Sequence, residues 1–303
     1  MYLRAISIGY AVPDGNFAAS IHSVFRSALN LRLDGENHLL TLIASGEGDL
    51  PQGIRLDTPE GFSFEEFQTG ELAVCREGIL HFENSSLTVQ LSGSRRWKCD
   101  LPALRFDPAN PVVFAAWSFV WEMLNGQQRF SEAEILAEEL VRSIESPRAG
   151  APRKAGRAMR DLLTITRRYD STYASSVAAL IGLGSGLTPS GDDLLVGYLT
   201  GLWCTVRGGS ERMQFISSLG KTIIDLSSQT NDISRTYLYH AVHGQVSNRL
   251  ANLAEGIGRG EDREHLGKTA AAAFKVGHTS GMDAAAGLLV GLTAWTSPGT
   301  FHF

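Results

Sequence analysis

Apolar residues in the first third of the chain are spaced as in β-strands. Two apolar-rich runs, residues 79–83 and 87–91, flank the turn sequence Asn-Ser-Ser, which predicts a β-hairpin. Residues 38–44 form another strand-like run, and turns rich in Gly, Pro and Asp separate such segments. One early segment, residues 16–29, is a helix candidate. Residues 1–108 are therefore expected to form a small barrel or sandwich with at least one helix.

Helical periodicity dominates after residue 108. Residues 112–124 are bulky and nearly all apolar, and Ser131 with Glu134 forms a capping box that opens a helix to about residue 144. Further helices are expected near residues 157–168, 171–181, 190–206, 211–228, 232–255, 262–276 and 281–296. The sequence thus predicts an α+β chain, with a β-rich domain over residues 1–108 followed by a mostly α-helical domain over residues 109–303.

Two segments of the helical part repeat each other without gaps. Both residues 190–202 and residues 280–292 follow the pattern S-G-x-D-x-x-x-G-x-L-x-G-L. Serine is a strong helix N-cap, and an acidic residue three positions later completes a capping box, so each copy is expected to start a helix. The expected capping residues are Ser190 with Asp193 and Ser280 with Asp283.

The glycines of the repeat recur four residues apart, so they lie on one face of each predicted helix. They are Gly197 and Gly201 in the first copy and Gly287 and Gly291 in the second. Because glycine inside a helix costs about 1 kcal/mol relative to alanine, a compensating close contact is expected. We predict that the two helices pack against each other around a pseudo-twofold axis.

A glycine-rich stretch, residues 182–189, precedes the first copy and suggests a ligand site. Alternating glycines let backbone amides approach a ligand, and helix N-termini favour anions such as phosphate or carboxylate. The spacing matches neither a Walker loop nor a Rossmann fingerprint. The residues expected to bind the anion here are Gly184, Ser185, Gly186, Thr188, Ser190 and Gly191, joined by Ser280 and Gly281 from the second copy.

Charged and polar residues near the two copies are candidates for catalysis or binding. Asp192 is available to a ligand amide or a cation, or else it only complements the helix dipole. Arg235 is a candidate clamp for a carboxylate or phosphate, although an ordinary surface pair with Asp232 is the slightly preferred interpretation. Asn231 and Ser234, which lie close to Arg235 in the chain, are candidates for binding the anion.

Histidines supply two further candidates. His278 precedes the second copy and either faces the same site as a catalytic residue or is an ordinary polar loop residue. His240 and His243 are three residues apart, a spacing compatible with a metal on a helix, but no third ligand is obvious. The sequence therefore predicts no metal and no other cofactor, with a metal-dependent hydrolase that uses Asp192, His240 and His243 as an alternative.

Composition narrows the class of protein. The net charge of −5 argues against a general nucleic-acid binder but leaves room for a local anion site. The three cysteines, an odd number without zinc spacing, are expected to be reduced thiols. No signal peptide is apparent and no apolar run reaches the roughly 20 residues of a membrane span. A cytoplasmic protein with no membrane partner is expected.

The motif residues resemble a bacterial family long catalogued as a domain of unknown function. The resemblance rests on residues 182–193, and residues 230–235, 277–283, 24–31 and 39–42 support it. Ser185 stands where the family often has proline. The branch of this family with an assigned role is a subunit of the oxamate carbamoyltransferase of anaerobic allantoin breakdown. That enzyme links oxalurate and phosphate to oxamate and carbamoyl phosphate, and it needs several subunits.

The resemblance implies an enzyme subunit that acts on small anionic amide or carbamoyl metabolites together with other protein subunits. In such a site the loop from Gly184 to Ser190 would hold phosphate, Arg235 would hold a carboxylate, and His278 would stabilise the oxyanion or move a proton. The alternative is a non-catalytic subunit that binds the metabolite or serves as a scaffold while a partner supplies the chemistry.

Overall fold

A computed structural model describes residues 1–35, 38–99, 101, 109–128, 137–140, 154–206 and 209–296. The chain divides into two compact units, Met1–Cys99 and Asp100–Phe303. The predicted domain boundary at residue 108 stays a prediction, since residues 102–108 lie outside the described part of the chain. The fold class is α+β, as predicted, with a β-barrel followed by a helical region.

The first unit is an eight-stranded barrel with one extra strand. Its strands are β1 (Tyr2–Gly9), β2 (Phe17–Val24), β3 (Ala28–Leu33), β4 (Leu39–Ile43), β5 (Gly53–Leu56), β6 (Leu72–Arg76), β7 (Ile79–Phe82), β8 (Thr88–Gln90) and β9 (Arg95–Trp97). The strand order is β5-β4-β3-β2-β6-β7-β8-β1, and pairing of β5 with β1 closes the barrel. The extra strand β9 pairs in parallel with β1. The hairpin predicted from residues 79–83 and 87–91 is confirmed as β7 and β8.

The helix predicted within residues 16–29 is wrong, because this segment is the hairpin of β2 and β3. Ala19 and Ile21 are both about 1% exposed, which is the two-residue alternation of a strand whose one face lines the barrel core. The Phe25 amide donates to the Ala28 carbonyl at 2.8 Å and closes the turn between the strands. Burial of alternate residues against the barrel core thus makes this segment a hairpin and not a helix.

The second unit is helical. Its helices are α1 (Pro111–Gln128), α2 (Lys154–Arg167), α3 (Ala174–Leu180), α4 (Ser190–Cys204), α5 (Ser210–Leu226), α6 (Asp232–Val242), α7 (Asn248–Arg259), α8 (Arg263–Phe274) and α9 (Ser280–Leu292). Residues 137–140 are also helical, while the capping box of Ser131 and Glu134 lies outside the described residues. In the described part of the chain, no helix combines the length and apolar character needed to cross a membrane. The three cysteines are buried thiols.

The single helix predicted over residues 232–255 is wrong, since α6 ends at Val242 and α7 starts at Asn248. Gly244 has a φ of +70°, a left-handed conformation that interrupts the helix. A Cβ on Gly244 would lie 3.2 Å from the Trp203 ring, so the turn at Gly244 packs closely against α4.

The predicted packing of the two glycine helices, α4 and α9, is confirmed. A Cβ on Gly197 would lie 1.8 Å from the carbonyl oxygen of Ala284. A Cβ on Gly287 would lie 2.0 Å from the carbonyl oxygen of Leu194, the residue that corresponds to Ala284 in the repeat. The backbones therefore touch reciprocally, as a pseudo-twofold axis between the copies requires.

Candidate functional site

The first turns of α4 and α9 differ from the prediction that serines cap these helices. Pro189 occupies the N-cap position of α4 and Thr279 that of α9, and neither helix has a side-chain cap bond. Ser190 and Ser280 are already the first helical residues. A capping serine needs a non-helical backbone. The capping-box prediction for both copies is therefore wrong, and the carboxyls of Asp193 and Asp283 do not play the predicted capping role.

The connection into α4 and the connection into α9 are built alike. The Leu183 amide donates to the Leu180 carbonyl at 2.9 Å, and the Gly191 amide donates to the Leu183 carbonyl at 2.8 Å. The equivalent bonds in the second copy join Val276 to Ala273 at 3.3 Å and Gly281 to Val276 at 2.9 Å. The repeat seen in the sequence thus extends backwards into both loops.

The first loop is the longer of the two. Gly191 follows Leu183 by eight positions (191 − 183), whereas Gly281 follows Val276 by five (281 − 276). The three additional residues fall within residues 184–189, a segment that we call the inserted loop. This insertion gives the first copy a loop of its own, which the second copy lacks.

The inserted loop has open space beside it. Gly184 has a φ of +116° and Gly186 a φ of +95°, which other residues rarely adopt. A Cβ on Gly186 would meet no atom within 4 Å, so packing does not account for this glycine. Ser185 and Leu187 are exposed as well. The loop therefore has the room that the anion-binding prediction requires.

The backbone amides at the start of α4 are less available than predicted. The Gly191 amide is bonded to Leu183, and the amides of Asp192 and Asp193 both donate to the Pro189 carbonyl, at 2.9 and 3.2 Å. Binding of an anion to the Gly191 amide would require its bond to Leu183 to break.

Asp192 is buried, and its carboxylate ties the loop to the segment before α6. One oxygen, Oδ1, accepts the Gly182 amide at 2.9 Å, and Oδ2 accepts the Thr230 hydroxyl at 2.5 Å. Burial raises the pKa of Asp192, and hydrogen bonds from Thr230, Gly182 and Ser234 act in the opposite direction. Asp192 therefore holds the base of the loop in place.

A second buried carboxyl, Asp193, lies where the two helix starts meet. The hydroxyls of Thr188 and Ser280 are 2.6 Å apart and join the loop to α9. Burial raises the pKa of Asp193 well above the usual value; hydrogen bonds from Ser280 and Thr188 oppose this, and the nearby carboxylates of Asp283 and Asp192 add to it. The Oδ2 atom of Asp193 is buried without a hydrogen-bond partner among the described residues.

The start of α6 contributes the other predicted polar residues. Asn231 is the N-cap of α6, and its side-chain oxygen accepts the amides of Ile233 and Ser234. A guanidinium nitrogen of Arg235, Nη1, lies 3.1 Å from Oδ1 of Asp232, so the surface pair does form. The Nε atom of Arg235 is nevertheless buried without a hydrogen-bond partner among the described residues.

The histidines are dispersed. His278 is exposed in the turn before α9. His240 is buried in α6, while His243 is exposed and its Nδ1 lies 2.7 Å from the Tyr239 carbonyl oxygen. Within the described ranges, no three His, Cys, Asp or Glu side chains form a group that would hold a metal ion. The set proposed for a metal-dependent hydrolase, which includes Asp192, is thus not brought together.

Two family models match the chain. The model described as the AllH family N-terminal domain matches residues 4–96, and the model described as oxamate carbamoyltransferase subunit AllH matches residues 180–292. The chain belongs to the AllH family. The resemblance seen in the glycine-rich motif is thereby confirmed. No solved structure matches the chain.

The AllH match spans α4 to α9 and therefore contains both helices of the pair. It begins at Leu180, the last residue of α3, and ends at Leu292, the last residue of α9. The cluster joined by these polar contacts lies within this stretch and contains Gly182, Thr188, Asp192, Asp193, Thr230, Ser234, Ser280 and Asp283. His278 and Arg235 lie in the same stretch but make none of these contacts. The binding roles of the predicted residues remain predictions.

Proposed function

We propose that this AllH-family chain is a subunit of an oxamate carbamoyltransferase and binds a small anionic carbamoyl or amide metabolite beside the inserted loop. The observation that carries the proposal is that the AllH match, residues 180–292, contains both paired helices and their polar cluster. Action in the cytoplasm is part of the proposal, and the buried thiols support it, since thiols persist in a reducing compartment.

The proposed reaction connects oxalurate and phosphate with oxamate and carbamoyl phosphate. Both directions place negative charge on the phosphate, on a carboxylate and on the carbonyl oxygen under attack, so fixed hydrogen-bond donors are the main requirement. Positioned donors in a site shielded from water stabilise such charge more strongly than water does. No covalent nucleophile and no cofactor is required.

The described residues supply donors for each of these charges. The loop is exposed from Ser185 to Leu187, and its glycines give the backbone the freedom to surround a phosphate. Arg235 offers its buried Nε and is assigned to the carboxylate. His278, exposed near the start of α9, is assigned to the developing oxyanion. Asp192 is assigned to holding the loop, because its oxygens are already bonded.

Calorimetric binding of phosphate and of oxamate to a Gly186→Val variant tests the loop assignment. We expect at least about a tenfold loss of affinity, because valine strains the positive φ and fills the space beside the loop. The matched control is Gly61→Val in the barrel, a position with a φ of +77° and equally open surroundings. Equal affinities of the two variants for both anions would remove the loop from the proposal.

A non-catalytic role remains the second candidate, and the description of the family as a subunit favours it. Turnover of oxalurate with phosphate is measured for the purified chain alone and for the chain assembled with its partner subunits. Steady turnover by the chain alone supports catalysis at this site. Binding without turnover, restored by the partners, supports the scaffold role, whereas no turnover even in the assembly contradicts the proposed function.

A further inference from the structure

Two carboxyl groups from matching positions of the repeat meet at the start of the helix pair. Asp193 of α4 is 9% exposed and Asp283 of α9 is 0% exposed. Asp193 and Gly197 are four residues apart, as are Asp283 and Gly287, so the carboxyls lie on the same helix faces as the glycines that touch. The proposed function assigns roles to the loop, Arg235 and His278 but none to Asp193 and Asp283.

The surroundings of Asp193 make it unfavourable for Asp193 and Asp283 to be negatively charged at the same time. The titratable groups that act on it are Asp283 of the facing helix and Asp192 of its own helix, and both raise the pKa of Asp193. The groups that lower it are the hydroxyls of Ser280 and Thr188, which carry no charge. Burial and the two neighbouring carboxylates therefore favour the protonated form of Asp193 over its charged form.

A path of hydroxyls leads from this pair to the loop. Oδ2 of Asp193 is buried and has no hydrogen-bond partner in the described ranges, so it retains the capacity for one more bond. Ser280 and Thr188 are half-buried and lie 2.6 Å apart, with Thr188 at the end of the inserted loop. Hydroxyl groups both donate and accept, which suits them to pass a proton.

The proposed reaction requires one proton to cross the site. When hydrogen phosphate attacks the carbamoyl carbon of oxalurate, a C–O bond forms and the C–N bond to oxamate breaks. The leaving nitrogen gains a proton and the phosphate loses one, so the totals balance without another reactant. A group that gives one proton and takes back another is therefore needed between the two substrates.

We propose that Asp193 and Asp283 form a proton-relay pair that serves the carbamoyl transfer through the hydroxyls of Ser280 and Thr188. The inference rests on the proposed function and deepens it. Asp193 gives its proton towards the leaving nitrogen and regains one from the phosphate, while the neighbouring Asp283 favours the protonated form of Asp193. Both carboxyls are positioning residues that act through the hydroxyls.

The test is Asp193→Asn in the chain assembled with its partner subunits. Asparagine has nearly the shape of a protonated aspartate, so a purely structural role would leave kcat unchanged. We expect kcat for oxalurate and phosphate to fall about 100-fold or more with KM within about threefold, the scale of a lost proton transfer. The matched control is Asp262→Asn, an exposed N-cap of α8 where asparagine caps equally well.

Two further measurements separate the relay from a structural role. The fall of wild-type kcat at high pH, which reports loss of the relay proton, should be absent in Asp193→Asn. The infrared carbonyl band of a protonated carboxyl should disappear in the same variant and persist in Asp262→Asn. Unchanged kcat and pH profile with active wild-type assembly would overturn the relay alone. An inactive wild-type assembly would overturn the proposed function and the relay together.

Discussion

Gly197 and Gly287 occupy the same position in the two copies of the repeat, and each faces the backbone of the other's helix. A Cβ on either residue would lie 1.8 or 2.0 Å from a carbonyl oxygen of the partner helix. Two glycines that are equivalent in sequence thus set the distance between α4 and α9. The hydroxyls of Thr188 and Ser280, 2.6 Å apart, join the loop before α4 to the first residue of α9.

Gly197→Ala should destabilise the chain strongly. The added methyl group overlaps backbone atoms, so the helices must separate, and we expect a loss of about 3 kcal/mol in the free energy of unfolding. Urea unfolding followed by circular dichroism measures it. The control is Gly126→Ala in α1, where a Cβ meets nothing within 4 Å and alanine should stabilise by about 0.5–1 kcal/mol. A small loss of unfolding free energy in Gly197→Ala would contradict the close packing of α4 on α9.

Asp193→Asn should change how stability depends on pH. The folded chain raises the pKa of Asp193 above its ordinary value of 3.8, so below about pH 4 both the folded and the unfolded states carry the proton. As the pH rises, the unfolded state releases the Asp193 proton before the folded state does. The free energy of unfolding of the wild type therefore falls until the pH exceeds the raised pKa of the folded state. Asparagine does not titrate, so the variant should gain stability relative to wild type over this window.

Urea unfolding of both proteins at a series of pH values between about 4 and 8 checks this sign. A difference that stays constant with pH would show that Asp193 carries no bound proton. If Asp193→Asn is more stable than wild type but has lost turnover, Asp193 serves function at a cost in stability.

Arg235→Ala should weaken binding of oxamate more than it affects stability. The pair with Asp232 is 30% and 24% exposed, so its loss costs about 0.5 kcal/mol or less. A charged hydrogen bond to a carboxylate is worth about 1.5–3 kcal/mol, or roughly 10- to 100-fold in affinity. Calorimetry with oxamate measures the loss. Arg259→Ala, which breaks a similar pair with Glu255 on α7, is the control and should bind normally.

Deletion of Gly184, Ser185 and Gly186 should preserve the fold and abolish anion binding. After deletion, Gly191 would follow Leu183 by five positions, which is the spacing of the equivalent bond in the second copy. That copy shows that the shorter turn can connect such helices. Circular dichroism and unfolding report on the fold, and calorimetry with phosphate reports on binding. Unchanged phosphate affinity would place the ligand elsewhere.

Much of this architecture could be predicted from the sequence, because glycines spaced by four inside a helix are costly unless another backbone lies against them. The packing of α4 on α9 is predictable from the spacing of Gly197 and Gly201 in one helix and of Gly287 and Gly291 in the other. The break at Gly244 could not be located, since one glycine in a helical pattern is tolerated in many helices. The hairpin of β2 and β3 could not be recognised either, because short apolar runs fit both periodicities.

The pair of Asp193 and Asp283 escapes sequence reasoning for a different reason. The pattern S-x-x-D favours a local capping box, and that interpretation assigns the carboxyl to its own helix start. A signal is nonetheless present, since each aspartate precedes a packing glycine by four residues and therefore shares its face. Long-range contacts of this kind appear only when the two copies are considered together.

The chain order of the helix pair also governs when the site can form during synthesis. Ser190 begins α4, but the helix that completes its surface ends at Leu292. Until Leu292 has been synthesised, the face of α4 that carries Gly197 and Gly201 is exposed to water. The Asp193 carboxyl, which is buried in the complete chain, is exposed as well. Ribosomes add about 5–20 residues per second, so α4 waits several seconds for its partner. Interrupted translation would therefore yield a chain in which the two helix starts never meet.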